Sequence, residues 1–277
     1  MFYVNTIKHK KTLNSHTQLI YQISILRDGR LCSCSRDKNL IIYDSKNFEP
    51  QIRIDNLHSN WIFSFTQLQD GKIITCSKDK SMKIIELSED SYSLKQSLTD
   101  HSGYVVKVIE FKKNELISIS NDRQIKFWNL KNEKFICVKS IFFQNTQNFA
   151  IGILKINDTE FVSVDNGDGK LKFWNYPNYT MVKEYKEHIN SNWNSDQLCL
   201  LNEKYFLFAD NYLYIFNIDL KDLFKKIDLN TYSVIKCIDG TFLCNSNKDT
   251  HKIIKYKING NDVEKIAETN IICKNQI

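Results

Sequence analysis

Residues 101–129 read HSGYVVKVIEFKKNELISISNDRQIKFWN. The same layout precedes it twice without a gap: HTQLIYQISILRDGRLCSCSRDKNLIIYD from His16 and HSNWIFSFTQLQDGKIITCSKDKSMKIIE from His58. In each copy a His stands 21 residues before an Asp: His16 and Asp37, His58 and Asp79, His101 and Asp122. A bulky residue follows each Asp by six: Tyr43, Ile85 and Trp128. The copies start 42 and then 43 residues apart. Two intervals kept three times over define an internal repeat, and a repeat governs the reading of every motif inside it.

Three weaker copies continue the series. Asp168 lies six before Trp174, Asp210 six before Phe216, and Asp249 seven before Tyr256. Within the copies apolar residues alternate with a period of two, as in Leu116-Ile117-Ser118-Ile119-Ser120, which predicts strands and excludes amphipathic helices. Turn pairs separate the runs: Asp28-Gly29, Asp70-Gly71, Lys113-Asn114, Asn157-Asp158, Asn202-Glu203 and Asp239-Gly240. Each copy therefore holds three strands, a, b and c. A fourth segment, d, follows at 51–55, 92–98, 134–141, 181–185, 223–228 and 263–268. Four short strands every 42 residues or so is the pattern of a propeller blade, so the fold class is all-β.

The repeat resembles that of the WD40 β-propellers. The third copy carries the resemblance best, through His101, Ile117–Asp122 and Ile125–Asn129. The Trp-Asp ending of that family appears here as Trp128-Asn129, Trp174-Asn175, Tyr43-Asp44 and Phe216-Asn217. Its usual Gly before the His is replaced by Ser15, Leu57, Asp100 and Glu187. The resemblance implies one propeller domain over 1–277, with repeats near 9–44, 51–87, 92–130, 134–176, 181–218 and 223–258. The remainder, 263–277 together with 1–8, reads as a seventh, incomplete blade. Met1–Thr6 would be its c strand, Lys10–Asn14 a d strand, and Asn270–Ile277 its a strand. Seven blades is the expectation and six the alternative.

A recurring Ser, His and Asp is also an enzyme template. Repetition from copy to copy argues against that use. In the WD40 family these residues form a hydrogen-bonded tetrad, and the resemblance places it on His101, Ser118, Asp122 and Trp128. The first copy would use His16, Ser33, Asp37 and Tyr43. The second would use His58, Thr75 and Asp79, and Ile85 has no hydrogen to donate. The fourth retains Asp168 and Trp174.

Other chemistry is not written in the chain. There is no phosphate loop, no H-E-x-x-H and no G-x-S-x-G. Asp165–Gly169 has a passing likeness to a calcium loop but lacks the later bidentate Glu. The eight cysteines include no C-x-x-C pair; Cys32 and Cys34 alternate onto one strand face and read as buried thiols. No catalytic residue, metal ligand or cofactor is expected. A net charge of +6, with lysines scattered among aspartates, gives no concentrated nucleic-acid or membrane footprint. No apolar run approaches 18 residues, and no secretory leader is legible. A cytoplasmic or nuclear protein is the expectation.

The remaining signal lies where the d–a and b–c loops emerge, the top face. Aromatics recur about 18 residues before the turn Asp: Trp61 and Tyr104, then Trp193 and Tyr232 with one residue of slack. Residues just before the Asp include Arg36, Lys78 and Lys248. Aromatic and basic residues are favoured at interface hot spots. The reading is a non-catalytic scaffold offering this face to a protein or peptide partner within a multi-subunit complex. A ubiquitin-ligase substrate receptor is the alternative, with Tyr43-Asp44-Ser45-Lys46 a faint echo of the Trp-Asp-x-Arg ending that such receptors favour. A propeller enzyme ranks below both.

Overall fold

The computed structural model describes residues 11–143, 150–165, 170–185, 198–231, 234–237, 239–246, 252–260 and 262–270. Among the described residues, 24 strands form six four-stranded antiparallel sheets. Blade one holds β1 Ile20–Ile25, β2 Leu31–Ser35, β3 Leu40–Tyr43 and β4 Pro50–Ile54. Blade two holds β5 Ile62–Gln67, β6 Ile73–Ser77, β7 Met82–Leu87 and β8 Tyr92–Leu98. Blade three holds β9 Val105–Lys112, β10 Glu115–Ser120, β11 Gln124–Lys131 and β12 Lys134–Phe142. Blade four holds β13 Ala150–Lys155, β14 Glu160–Asp165, β15 Leu171–Asn175 and β16 Thr180–Tyr185. Blade five holds β17 Leu198–Leu200, β18 Tyr205–Asp210, β19 Tyr212–Asn217 and β20 Asp222–Asp228. Blade six holds β21 Val234–Lys236, β22 Phe242–Ser246, β23 Lys252–Asn259 and β24 Asp262–Asn270.

The seven-blade expectation is corrected to six. The sixth repeat supplies all four of its own strands. β24 pairs with β23 from Asn259↔Asp262 to Lys252↔Asn270, so Asn270 closes blade six instead of opening another. Lys11–Asn14 form no strand. Met1–Thr6 and residues 271–277 lie outside the described residues.

One irregularity marks all six blades. The c–d ladder slips by one residue at the bulky position after the turn: Tyr43, Ile85, Trp128, Trp174, Phe216 and Tyr256. In blade three, Phe127 faces Lys139 and Trp128 faces Cys137, which leaves Val138 unpaired. A bulge increases local twist, and its recurrence makes the weak fifth and sixth copies the same unit as the clean ones.

Consecutive blades pack face to face, and the apolar core lies between them. Cys32, Cys34, Leu40 and Ile42 of blade one meet Ile62, Phe65, Ile73 and Ile85 of blade two. Four more clusters join blades two and three, three and four, four and five, and five and six. The thiols of Cys32 and Cys34 are fully buried in the first of these. Burial pushes the Cys76 thiol up to about 12, so it stays protonated and inert.

Blade one differs at its inner strand. Ile62 and Phe65 of β5 are 0% and 3% exposed, whereas Ile20 and Ile23, at the matching positions of β1, are 38% and 55% exposed. The sheet face that covers β5 belongs to the blade before it, and among the described residues none gives β1 such cover on these two side chains. Among the described residues no helix is long and apolar enough to cross a membrane.

Candidate functional site

The recurring polar residues meet inside the blades. His101 Nδ1 lies 2.8 Å from Asp122 Oδ2, and His101 Nε2 lies 2.8 Å from Ser118 Oγ. The Trp128 indole N–H donates to the same Ser118 oxygen at 2.8 Å. One proton order satisfies every atom: indole N–H to Ser118, Ser118 O–H to His101 Nε2, and His101 Nδ1–H to the Asp122 carboxylate. In blade one, His16 spans Asp37 at 2.8 Å and Ser33 at 2.7 Å, and Ser33 Oγ and the Tyr43 hydroxyl are 3.3 Å apart. In blade two, His58 spans Asp79 at 2.9 Å and Thr75 at 2.8 Å. Ile85 offers no polar atom there, and Thr75 Oγ1 lies 3.2 Å from the Lys83 carbonyl oxygen.

Blade four departs from this layout. Trp174 donates its indole N–H to Ser163 at 2.9 Å. The fully buried Asp165, at the register position of Ser35, Ser77 and Ser120, is paired with the partly buried Lys172. Asp168 lies outside the described residues.

The aspartates do a second job. Asp37, Asp79 and Asp122 each accept a backbone N–H from the d–a loop: Thr17, Ser59 and Ser102, all at 3.0 Å. Each also accepts from the residue two further on: Asn39, Ser81 and Gln124. Burial alone would raise these carboxylates, but the hydrogen bonds from His and backbone outweigh it and hold all three below the ordinary Asp range. Burial pushes the His58 imidazole down, against the pull of Asp79, and favours its neutral form. Ser33, Thr75 and Ser118 are at most 1% exposed. No substrate can reach a hydroxyl sealed in this way, so these three sets work as braces that tie the d–a loop to the b–c turn.

The braces position the top face. In blades one to three the residue before the turn Asp donates its backbone N–H across the a–b ladder. Arg36 bonds the Leu19 carbonyl at 2.8 Å, Lys78 that of Trp61 at 2.9 Å, and Asn121 that of Tyr104 at 3.0 Å. The cation column and the aromatic column therefore stand side by side. They also reach between blades. The Arg36 guanidinium sits 4.0 Å from the Trp61 ring centroid, one blade on. Lys78 Nζ sits 3.7 Å from Trp61 and 5.2 Å from Tyr104, again one blade on. Tyr21 and Phe63 back Trp61, with centroid distances of 6.4 and 6.3 Å. Gly103 belongs to the same rim: a Cβ there would stand 2.7 Å from the Asp122 backbone nitrogen and collide with the Asn121 side chain.

A family model described as WD domain, G-beta repeat matches residues 7–44, the first copy. Solved structures supply the rest of the ring. The chain is similar to U3-55K, with a TM-score of 0.78 and 16% identity over 94% of this chain and 84% of that one. It is also similar to the WD40 repeats of RRP9, with a TM-score of 0.78 and 15% identity over 94% and 83%. The fold is that of a WD40-type β-propeller. No curated protein matches the sequence significantly. At these identities the structural likeness speaks for the WD40 fold alone.

Of the sequence-derived top-face residues, the structure brings Arg36, Trp61, Lys78 and Tyr104 together. Trp193, Tyr232 and Lys248 lie outside the described residues. Sequence reading treated cations and aromatics as separate columns and missed that each cation rides on a ring. The available signal was a constant interval of 17 residues from Trp61 to Lys78 and from Leu19 to Arg36. It also passed over the residues after the turn Asp, which are Lys38, Lys80 and Arg123.

Proposed function

We propose that this propeller is a non-catalytic interaction scaffold and that the top rim of blades one to three holds a protein or peptide partner. The observation that carries this reading is the Arg36–Trp61–Lys78–Tyr104 ladder. Cation–ring contacts hold these side chains in place before any partner arrives, so little rotamer freedom is lost on binding. Trp and Arg at a rigid rim are the residue types that anchor partners. The sealed braces support the same reading, because they serve loop geometry and present no reactive group.

The test is affinity purification with mass spectrometry, using the intact chain and a Trp61→Ala/Tyr104→Ala variant that melts as a single folded species. Loss of a reproducible partner in the variant is the expected result. Equal recovery by both proteins removes the top rim from the function, and turnover of a substrate by the variant and wild type alike would argue for an enzyme.

A further inference from the structure

The b–c turns of blades one and two have a composition that loop geometry does not require. In these turns and in that of blade three the residue after the aspartate has left-handed backbone: Lys38 at φ 72°, Lys80 at φ 73° and Arg123 at φ 66°. Blade five fills the same position with Asn211, at φ 47°. Asn adopts this conformation readily, whereas a long basic side chain gains nothing from it. Three lysine or arginine residues at a position that Asn would suit better point to a use for their charge.

The residues before the aspartate add to that charge. Two successive turns read Arg36-Asp37-Lys38 and Lys78-Asp79-Lys80. The central carboxylates do not neutralise their neighbours, because they are engaged inward. Asp37 accepts from His16, Thr17 and Asn39, and Asp79 accepts from His58, Ser59 and Ser81. Among the described residues, Arg36, Lys38, Lys78 and Lys80 enter no ion pair, while lysines elsewhere commonly do, as Lys72 with Asp70 and Lys170 with Glu184. Of the acids on the adjoining d–a loops, Asp55 is held by Arg53 at 2.7 Å and Asp100 is exposed. Arg36 and Lys78 are moreover held within 4.0 Å of one ring centroid, two like charges sharing one indole.

We propose that the b–c turns of blades one and two bind an acidic peptide segment, whose carboxylate or phosphate groups pair with Arg36, Lys38, Lys78 and Lys80. The proposal rests on the reading of the top rim as the interaction surface and names the chemistry of what lands there. A peptide is favoured over a nucleic acid because the Trp61 ring already carries cations, so it offers no free platform on which a base could stack.

The experiment is fluorescence anisotropy on the intact chain with three labelled peptides of one length: Glu-rich, the same with phosphoserine for Glu, and the same with Gln for Glu. A labelled oligouridine is the fourth probe. The variant is Lys38→Asn/Lys80→Asn, which removes two charges while giving the turns a residue suited to left-handed backbone. Its melting temperature should equal or exceed that of the wild type. Either acidic peptide should bind more tightly than the Gln peptide, with affinity falling as salt rises, and the variant should lose about five- to tenfold. The ratio of the two acidic peptides identifies the anion as carboxylate or phosphate. Equal binding of the Gln peptide, an unchanged affinity in the variant, or tighter binding of oligouridine than of both acidic peptides overturns the proposal. A partner lost on Trp61→Ala/Tyr104→Ala, with no acidic peptide bound, leaves the scaffold reading standing and removes only the acidic chemistry.

Discussion

Replacing Ser118 with Ala removes a single oxygen, and the structure says what that oxygen holds. Ser118 is fully buried, takes the Trp128 indole N–H at 2.8 Å and meets His101 Nε2 at 2.8 Å. The substitution leaves a buried indole N–H and a buried imidazole nitrogen without a partner. Each buried polar atom left in this way costs about 1–3 kcal/mol. The sum, about 2–6 kcal/mol, is a large share of the ~5–15 kcal/mol that stabilises a typical domain. The matching change in blade one, Ser33→Ala, should cost less, because the Tyr43 hydroxyl is 3.3 Å away and that contact is weak to begin with. Urea unfolding followed by tryptophan fluorescence measures both. A loss under about 1 kcal/mol for Ser118→Ala would refute the brace, because a removed partner in a dry site cannot be that cheap. A cost for Ser33→Ala equal to or above that of Ser118→Ala would show that the ring donor is not what distinguishes the blades.

The exposed inner strand gives a matched pair. Ile62→Ala should cost about 2–4 kcal/mol, in the range for a filled core site, and Ile20→Ala at the same register position should cost clearly less; equal costs would mean that Ile20 is covered. Acid should weaken the fold through the brace aspartates. Their carboxyls are held below the ordinary Asp value, so the stability they contribute is complete above about pH 4, the unfolded value, and is lost as pH falls through the folded one. Asp79→Asn should therefore flatten the stability profile below pH 4, and a profile parallel to that of the wild type would remove Asp79 as a source of acid lability.

Much of this architecture could be read before any coordinates. The His-to-Asp interval and the period-two runs of the first three copies place the strands, and the d segments at 92–98 and 223–228 differ from β8 and β20 by no more than one residue. The blade count could not be read in the same way. Residues 270–277, NIICKNQI, resemble the a strand of a further copy, and nothing local says that Asn270 is already paired with Lys252. The c–d bulges were also out of reach, since a one-residue slip leaves no mark on hydropathy. At the top rim the residue types were visible but their pairing was not. Arg36 meets Trp61 only because blade two follows blade one around the ring, a relation between residues 25 positions apart that neither strand nor turn propensity encodes.

Hydrogen–deuterium exchange on the intact chain, with and without a saturating captured partner, tests the central claim most directly. The claim predicts new protection in the d–a and b–c loops of blades one to three, at His16–Ile20, Arg36–Asn39, His58–Trp61, Lys78–Ser81 and His101–Tyr104. Protection confined to the outer strands β4, β8 and β12, or to blades four to six, would contradict it.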